Sequence, residues 1–135
     1  MILVLDASLT LAFLMDEPDS GWYPGKLEGL LIGAEVIAPA IWGPEVVNGL
    51  LLACRRGRFS QAEIPVIMGR LAGIPVALDQ AVWEPEGLFA LSQEHRLTAY
   101  DASYLDLALR RGAALATLDA ALKLAAWRAG VPLIE

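Results

Sequence analysis

The sequence has little of several residue types on which common active sites and scaffolds depend. Its 135 residues include one cysteine, one histidine and two lysines among ten basic residues. Cys54 cannot form a disulfide within the chain, and one Cys and one His do not supply the ligand spacing of a zinc site. We expect Cys54 to be a small core residue and His95, near a polar helix end, to be solvated. A reduced cytoplasm is the expected location.

Long apolar segments are also missing, although hydrophobic residues make up 56% of the chain. Charged residues and prolines interrupt every apolar run before the roughly 18 residues that a membrane span requires. The N-terminal segment reaches Asp6 without a basic leader, so we expect no signal peptide. The length and composition predict one globular domain over residues 1–135, with no membrane association.

Basic charge is scarce, with 10 Lys and Arg against 16 Asp and Glu and a net charge of -6. Proteins that bind nucleic acid usually present basic surfaces, so this balance argues for caution. Four of the acids belong to the candidate site described below. Without them, twelve acids face ten bases, a balance of about -2, so the charge does not exclude a nucleic-acid partner.

Short apolar runs alternate with segments that carry helix start and stop signals. The runs are continuous rather than alternating, which is typical of parallel strands covered on both faces. Separated by helices, they predict a doubly wound five-stranded α/β sheet with right-handed crossovers. The five predicted strands are Ile2–Leu5, Val36–Ala38, Pro75–Leu78, Ala114–Leu118 and Val131–Ile134.

Four acids fall at the predicted strand-to-helix junctions. Asp6 ends the first strand, and Glu45 lies in the first turn of the helix after the second strand. Asp101 opens the helix TAYDASYLDLALRRG, and Asp119 joins the fourth strand to the last helix. Ligands of open α/β sheets bind outside the carboxyl ends of the strands. We therefore expect the four acids to share one edge of the sheet.

Each of these acids also has a structural interpretation as a helix N-cap or a first-turn residue. The chain, however, has no Gly-rich phosphate loop and no Gly-x-Ser-x-Gly elbow. Carboxylates are therefore nearly the only groups from which an active site could be built. Oxygen ligands suit Mg²⁺ or Mn²⁺, which relieve carboxylate repulsion, lower the pKa of a coordinated water and stabilise a transferring phosphoryl group.

Several polar residues near these junctions are candidates for supporting roles. Ser8 and Thr117 carry hydroxyls that could position a water or a carboxylate, although turn or strand roles are equally consistent with the pattern. Asn48 lies one helical turn after Glu45 and so on the same face. Trp42 could border the site, but packing or a protein interface explains it better.

Two groups of arginines lie at the predicted C-terminal ends of helices, where their positive charge complements the helix dipole. If RNA binds, Arg55, Arg56 and Arg58 are the candidates for phosphate contacts. Helices that run straight back across the sheet would place these arginines on the edge opposite the acids. Apolar composition and four tryptophans predict an oligomer, the tryptophans being Trp22, Trp42, Trp83 and Trp127.

Three segments resemble PIN-domain proteins. LDASLTLAFLMDEP resembles the first motif of that family, PEVVNGLLLACRRG the second, and LTAYDASYLDLALRRGAALATLDAALKLAAWRAGVPLI the C-terminal block. The resemblance runs from the first strand to the last, although residues 59–94 match mainly in pattern. It places the four family acids, as catalytic and metal-binding residues, at Asp6, Glu45, Asp101 and Asp119.

The resemblance implies an α/β/α sandwich and Mg²⁺- or Mn²⁺-dependent endoribonuclease activity, in which a metal-activated water hydrolyses RNA phosphodiesters. Size and motif order resemble, more narrowly, the VapC toxins of toxin–antitoxin pairs. Such toxins form homodimers and are silenced by a cognate antitoxin whose C-terminal segment wraps the nuclease.

Two other interpretations remain open at this point. The chain could be a catalytically silent PIN-like module that binds a basic partner peptide through its acidic groove. It could instead be another doubly wound domain, an aspartate-nucleophile phosphatase or a phosphoacceptor receiver. Ser8 stands where such a phosphatase usually has a second Asp, and neither Lys26 nor Lys123 follows a late strand as a receiver requires.

Overall fold

The structure, a computed structural model, describes residues 1–17, 21 and 24–135, so Trp22 lies outside the described residues. Helices and strands alternate along the chain as predicted. The strands are β1 (Ile2–Leu5), β2 (Glu35–Pro39), β3 (Ala77–Asp79) and β4 (Ala114–Ala116). The helices are α1 (Ala7–Leu14), α2 (Pro24–Gly33), α3 (Trp42–Arg55), α4 (Ile64–Ala72), α5 (Pro85–His95), α6 (Ala99–Arg111) and α7 (Ala120–Ala129), with a short 3-10 helix at Gln61–Glu63.

Within the described residues, four parallel strands form one sheet in the order β3-β2-β1-β4. Leu3 pairs with Val36 of β2, and Val4 pairs with Leu115 of β4. The chain moves outward from β1 through β2 to β3 and then returns to the other side of β1. This reversal confirms the doubly wound parallel sheet, and it places the switch in strand order between β1 and β4.

The predicted fifth strand, Val131–Ile134, is wrong as a full strand. Only one parallel bridge forms there, between Leu115 and Leu133. Leu115 N donates to Pro132 O at 2.8 Å, and Ile134 N donates to Leu115 O at 3.0 Å. Because Pro132 has no N–H, it cannot donate the next bond of the ladder toward Ala113. The segment therefore follows β4 without extending the sheet.

Two other strands differ from the prediction at their ends. β3 covers Ala77–Asp79 instead of Pro75–Leu78. Pro75 has no N–H for a strand ladder, and regular pairing begins two residues later. β4 ends at Ala116 instead of Leu118 because Leu118 N donates to the Ser8 hydroxyl at 3.0 Å and not to a neighbouring strand.

The core lies around β1, whose residues Leu3, Val4 and Leu5 are all 0% exposed. Successive residues of a strand face opposite sides of the sheet, so helices must cover both faces. Helix α6 packs across β1, β2 and β4, while α1 contacts α3 and α4. This arrangement agrees with the predicted layered sandwich and fixes the strand ends to which the acids belong.

Helix boundaries follow the local signals. Thr98 Oγ1 accepts a hydrogen bond from Asp101 N at 3.1 Å at the start of α6. Gly112 ends α6 and Gly130 ends α7, each with a positive φ that favours glycine.

Two expectations about single residues were wrong. The His95 side chain is only 8% exposed rather than solvated, because α5 packs closely along α6. Cys54 is half-buried rather than in the core, and its Sγ accepts a contact of 3.6 Å from Gln61 Nε2. In the part of the chain that the structure describes, no helix has the length and apolar character needed to cross a membrane.

Candidate active site

Asp6 lies directly after β1 and is 4% exposed. Two hydroxyls, Ser8 Oγ and Thr117 Oγ1, each donate to its Oδ2 at 2.6 Å. They come from residues two and 111 positions away, and the β1–β4 pairing brings them together. The structure therefore gathers Asp6 with the two hydroxyl residues that the sequence suggested.

The charge of Asp6 is costly to keep at this position. Burial raises the pKa of its carboxyl above the ordinary value, and the negative charge of Asp119 raises it further. The hydrogen bonds from Ser8 and Thr117 act in the opposite direction. The hydroxyls therefore orient this carboxylate and partly offset the loss of water.

The junction between β4 and α7 is hydrogen-bonded to Thr117, which also binds Asp6. Asp119 N donates to Thr117 Oγ1 at 3.0 Å. Asp119 Oδ2 accepts from Leu122 N at 2.8 Å, so this acid is the N-cap of α7. The capping interpretation of Asp119 is correct, and the capped carboxylate also lies close enough to Asp6 and Asp101 to affect their pKa values.

Glu45 lies in the first turn of α3 and is held by a residue that the sequence analysis missed. Tyr104, fully buried in α6, donates its hydroxyl to Glu45 Oε1 at 2.8 Å. Burial raises the pKa of Glu45, the bond from Tyr104 lowers it, and the charges of Asp6 and Asp101 raise it. The available signal was the position of Tyr104 three residues after Asp101, on a neighbouring part of the same helix.

Asp101 lies in the first turn of α6 and is half-buried. Burial raises its pKa, and the charges of Asp119 and Asp6 raise it further. Each of the four predicted acids thus interacts electrostatically with at least two of the others at the carboxyl end of the sheet.

No described cation offsets this negative charge. The ion pairs between described side chains involve other acids, such as Glu17 with Arg58 and Glu35 with Arg111. Carboxylate and hydroxyl oxygens are a donor set that suits Mg²⁺ or Mn²⁺. As the side chains stand, however, no three Asp, Glu, His or Cys residues of the described chain are close enough together to enclose a metal ion.

A model of the PIN domain family matches residues 3–128 of the sequence. The chain belongs to the PIN domain family. It is also similar to the crystal structure of PAE2754 from Pyrobaculum aerophilum, with a TM-score of 0.69 and 21% sequence identity over 93% of this chain and 84% of that chain. At this identity the similarity shows the fold alone. No curated protein matches the sequence. PIN domains are typically nucleases.

Two other predicted neighbours of the site in this PIN domain differ in their surroundings. Asn48 is exposed on α3, and its side chain makes no hydrogen bond with the other described residues. Trp42 is 8% exposed, and its Nε1 donates to Thr10 Oγ1 at 3.1 Å. Thr10 in turn donates to the backbone oxygen of Asp6 at 3.1 Å. Trp42 is therefore a packing residue that connects the start of α3 to the end of β1.

The arginines of the PIN domain are not all remote from the acids. Arg56 and Arg58 line a groove between α1 and α3 that also includes Ser8 and Leu118. The groove follows the helices back to the acidic edge, which the sequence analysis did not foresee. Arg55 is exposed but is not among the residues that line this groove.

Proposed function

We propose that this PIN domain is a Mg²⁺- or Mn²⁺-dependent endoribonuclease. Its catalytic and metal-binding residues would be Asp6, Glu45, Asp101 and Asp119. The observation that carries the proposal is their arrangement at the β1–β4 switch, where the negative charges of Asp6, Asp101 and Asp119 raise the pKa of neighbouring carboxyls and no described cation balances them. A site of this kind favours a divalent cation and a phosphodiester substrate.

In this proposal the chain orients the acids before the substrate arrives. Ser8 and Thr117 hold Asp6, and Tyr104 holds Glu45. The N–H of Leu122 holds Asp119 at the start of α7. A bound divalent cation would supply charge neutralisation and activation of a water for attack on the phosphodiester. Fixed carboxylates lose less conformational entropy when they bind a ligand.

The proposal includes a biological setting that rests on the motif resemblance. The protein would act as a single-domain toxin of the VapBC type in the cytoplasm, as a homodimer that a cognate antitoxin silences. Arg56 and Arg58 would contact RNA phosphates, since both line the groove that leads to Ser8. Asn48 would support Glu45 from the same helix.

The test is cleavage of single-stranded and structured RNA by the purified protein in Mg²⁺, in Mn²⁺ and in EDTA. We expect cleavage only with metal, and a loss of at least about a hundredfold in Asp6→Asn and in Asp101→Asn. Asp106→Asn is the matched control, because Asp106 lies on α6 with Asp101 but pairs with Arg110 at 2.8 Å. Cleavage that survives both active-site substitutions would contradict the proposal.

A second candidate is the silent module that binds a basic peptide through the same acids. The observation in its favour is that no three described side chains of the Asp, Glu, His or Cys type stand close enough to enclose a metal. Tight binding of a Lys- and Arg-rich peptide, together with no cleavage of any RNA in either metal, would favour this candidate.

A further inference from the structure

A groove of about 290 Å³ lies between α1 and α3. One end reaches Ser8, whose hydroxyl donates to Asp6 and accepts from Leu118 N. The groove therefore begins at the acidic edge. None of the four acids lines the groove itself, so a ligand that occupies it must extend past Ser8 to reach them.

The other end of the groove is lined by two arginines and one acid, Arg56, Arg58 and Glu17. The guanidinium of Arg58 pairs with Glu17, so much of its charge is already balanced. Arg56 is exposed, and its side chain has no ion pair or hydrogen bond with any other described residue. Its donors are therefore available to an anion.

The walls between the two ends are largely apolar. Leu11 and Met15 of the first helical segment face Leu52 and Ala53 of α3 across the groove. Met15 lies seven positions after Ser8, which corresponds to about 10 Å of α-helix. Stacked nucleotides rise about 3.4 Å each, so this length matches roughly three of them.

We propose that this groove binds the single-stranded RNA that flanks the scissile phosphate. A base lies against the apolar wall, and a phosphate of the same strand lies on Arg56. The inference rests on the proposed nuclease function and assigns part of its substrate-binding surface. Charge complementarity favours RNA over a basic peptide here, because a basic peptide suits the acids but is repelled by Arg56.

The first test is binding of a short fluorescein-labelled single-stranded RNA, measured by fluorescence anisotropy. Asp101→Asn in Mg²⁺ serves as the background, so that the RNA stays intact. Arg56→Ala should raise Kd by about five- to tenfold and reduce the slope of log K against log salt by about 0.7, the value for one phosphate contact on a single strand. Arg56→Lys should recover part of the affinity.

Arg55→Ala is the matched control for charge, because Arg55 is an adjacent exposed arginine that does not line the groove. Arg55→Ala should change Kd by less than twofold and leave the slope of log K against log salt nearly unchanged. Equal losses in Arg55→Ala and Arg56→Ala would overturn the inference and indicate a diffuse electrostatic effect.

A second pair of variants tests the apolar wall by inserting a negative charge. Leu52 is 40% exposed and lines the groove, whereas its neighbour Leu51 is 47% exposed and does not. Leu52→Asp should weaken RNA binding at least fivefold, and Leu51→Asp should leave it nearly unchanged. Both positions are solvent-accessible, so neither variant is expected to unfold the chain, and thermal melts would verify this.

The outcomes separate this inference from the proposed function. RNA binding that depends on Arg56 and Leu52, in a protein that cleaves no RNA, would support the groove and contradict the nuclease proposal. Metal-dependent cleavage with no effect of either variant on Kd or KM would support the nuclease proposal and contradict the assignment of the groove. If the variants of Arg56 and Leu52 did not change the Kd for RNA, and a peptide competed for the groove, the groove would be assigned to a protein partner.

Discussion

The carboxylate of Asp6 is 4% exposed, and the hydroxyls of Ser8 and Thr117 replace the water that burial removes. The same principle applies at Glu45, where Tyr104 supplies the hydrogen bond. At the residue scale, each buried acid therefore has a neutral donor rather than a cation. A neutral donor orients the carboxylate without neutralising it, which keeps its charge available to a ligand.

Removing one of these charges should stabilise the protein without metal. Burial and the charges of Asp119 and Asp6 raise the pKa of Asp101 above its ordinary value of 3.8, so the folded state binds this proton more tightly than the unfolded state does. Ionised Asp101 therefore costs stability at neutral pH. We expect Asp101→Asn in EDTA to raise Tm by about 2–5 °C at neutral pH.

The pH dependence checks the sign of this effect. Below about pH 3.8 the carboxyl is protonated in both states, so wild type and Asp101→Asn should melt together. As pH rises through the raised pKa of Asp101, the Tm of the variant should increasingly exceed that of wild type, and the difference should then stay constant. Asp106→Asn, which loses an ion pair with Arg110, should show no such gain. A Tm difference between Asp101→Asn and wild type that is largest at acidic pH would contradict this explanation.

Tyr104→Phe should weaken the fold and the site together. The substitution removes the 2.8 Å bond to Glu45 and preserves the buried ring. We expect a loss of about 1 kcal/mol in the free energy of unfolding, because water can reach half-buried Glu45 and replace part of the bond. Metal affinity should fall roughly tenfold or more, as for other groups that orient ligands.

Urea denaturation and a metal titration followed by tryptophan fluorescence would measure the two effects of Tyr104→Phe. Tyr100→Phe is the control, since Tyr100 is 63% exposed on the same helix. Unchanged metal affinity in Tyr104→Phe would show that Tyr104 supports packing alone.

At the scale of helices and strands, close contact between α1 and α3 shapes the groove beside the site. Gly49 of α3 faces Leu11 of α1. A Cβ on Gly49 would lie 2.8 Å from Leu11 Cδ2 and closer still to Cδ1. The absence of a side chain at Gly49 therefore permits this helix contact, which positions Ser8 and Glu45 on adjacent helices.

The contact predicts opposite effects for two helical glycines. Gly69→Ala in α4, where the new Cβ meets nothing within 4 Å, should stabilise the protein by about 0.5–1 kcal/mol through helix propensity. Gly49→Ala should instead destabilise it by about 1 kcal/mol, because the clash with Leu11 exceeds the propensity gain.

Chemical denaturation of both glycine variants and of Leu11→Ala would test this contact in a double-mutant cycle. Leu11→Ala should cost less in the Gly49→Ala background than in wild type, since it removes the clash. Additive effects would show that α1 moves away from α3 instead.

At the scale of the whole molecule, the strand order decides which parts of the chain meet. The order β3-β2-β1-β4 places the ends of β1 and β4 side by side, so Asp6 and Thr117 touch across 111 residues of sequence. Helices α3 and α6 then bring Glu45 and Asp101 to the same edge. The negative field of the site is therefore a property of the topology.

This field predicts that divalent cations stabilise the folded protein. A cation that binds only the folded state contributes about 2.7 kcal/mol at a hundredfold excess over Kd, a rise in Tm on the order of 10 °C. Thermal melts with increasing Mn²⁺ or Mg²⁺ would measure this rise, and EDTA should reverse it.

The doubly substituted protein Asp6→Asn, Asp101→Asn is the control for metal binding. It should start from a higher Tm without metal and respond little to added cation. A Tm rise in this variant equal to that of wild type would place the cation elsewhere on the molecule.

The sequence by itself determined the parallel α/β class, the approximate strands and the positions of all four acids. These depend on local signals: continuous apolar runs, helix caps, and acids directly after strands. Local signals were misleading where a single backbone atom decided the outcome, as at Pro132, whose missing N–H stops the fifth strand.

Only the tertiary structure decided how the acids are held and what leads to them. Tyr104 reaches Glu45 from a helix 59 residues away in sequence, and Arg56 joins Ser8 in one groove because α1 and α3 pack side by side. Such contacts depend on helix packing and strand order, which set distances between residues remote in sequence. No local pattern carries that information.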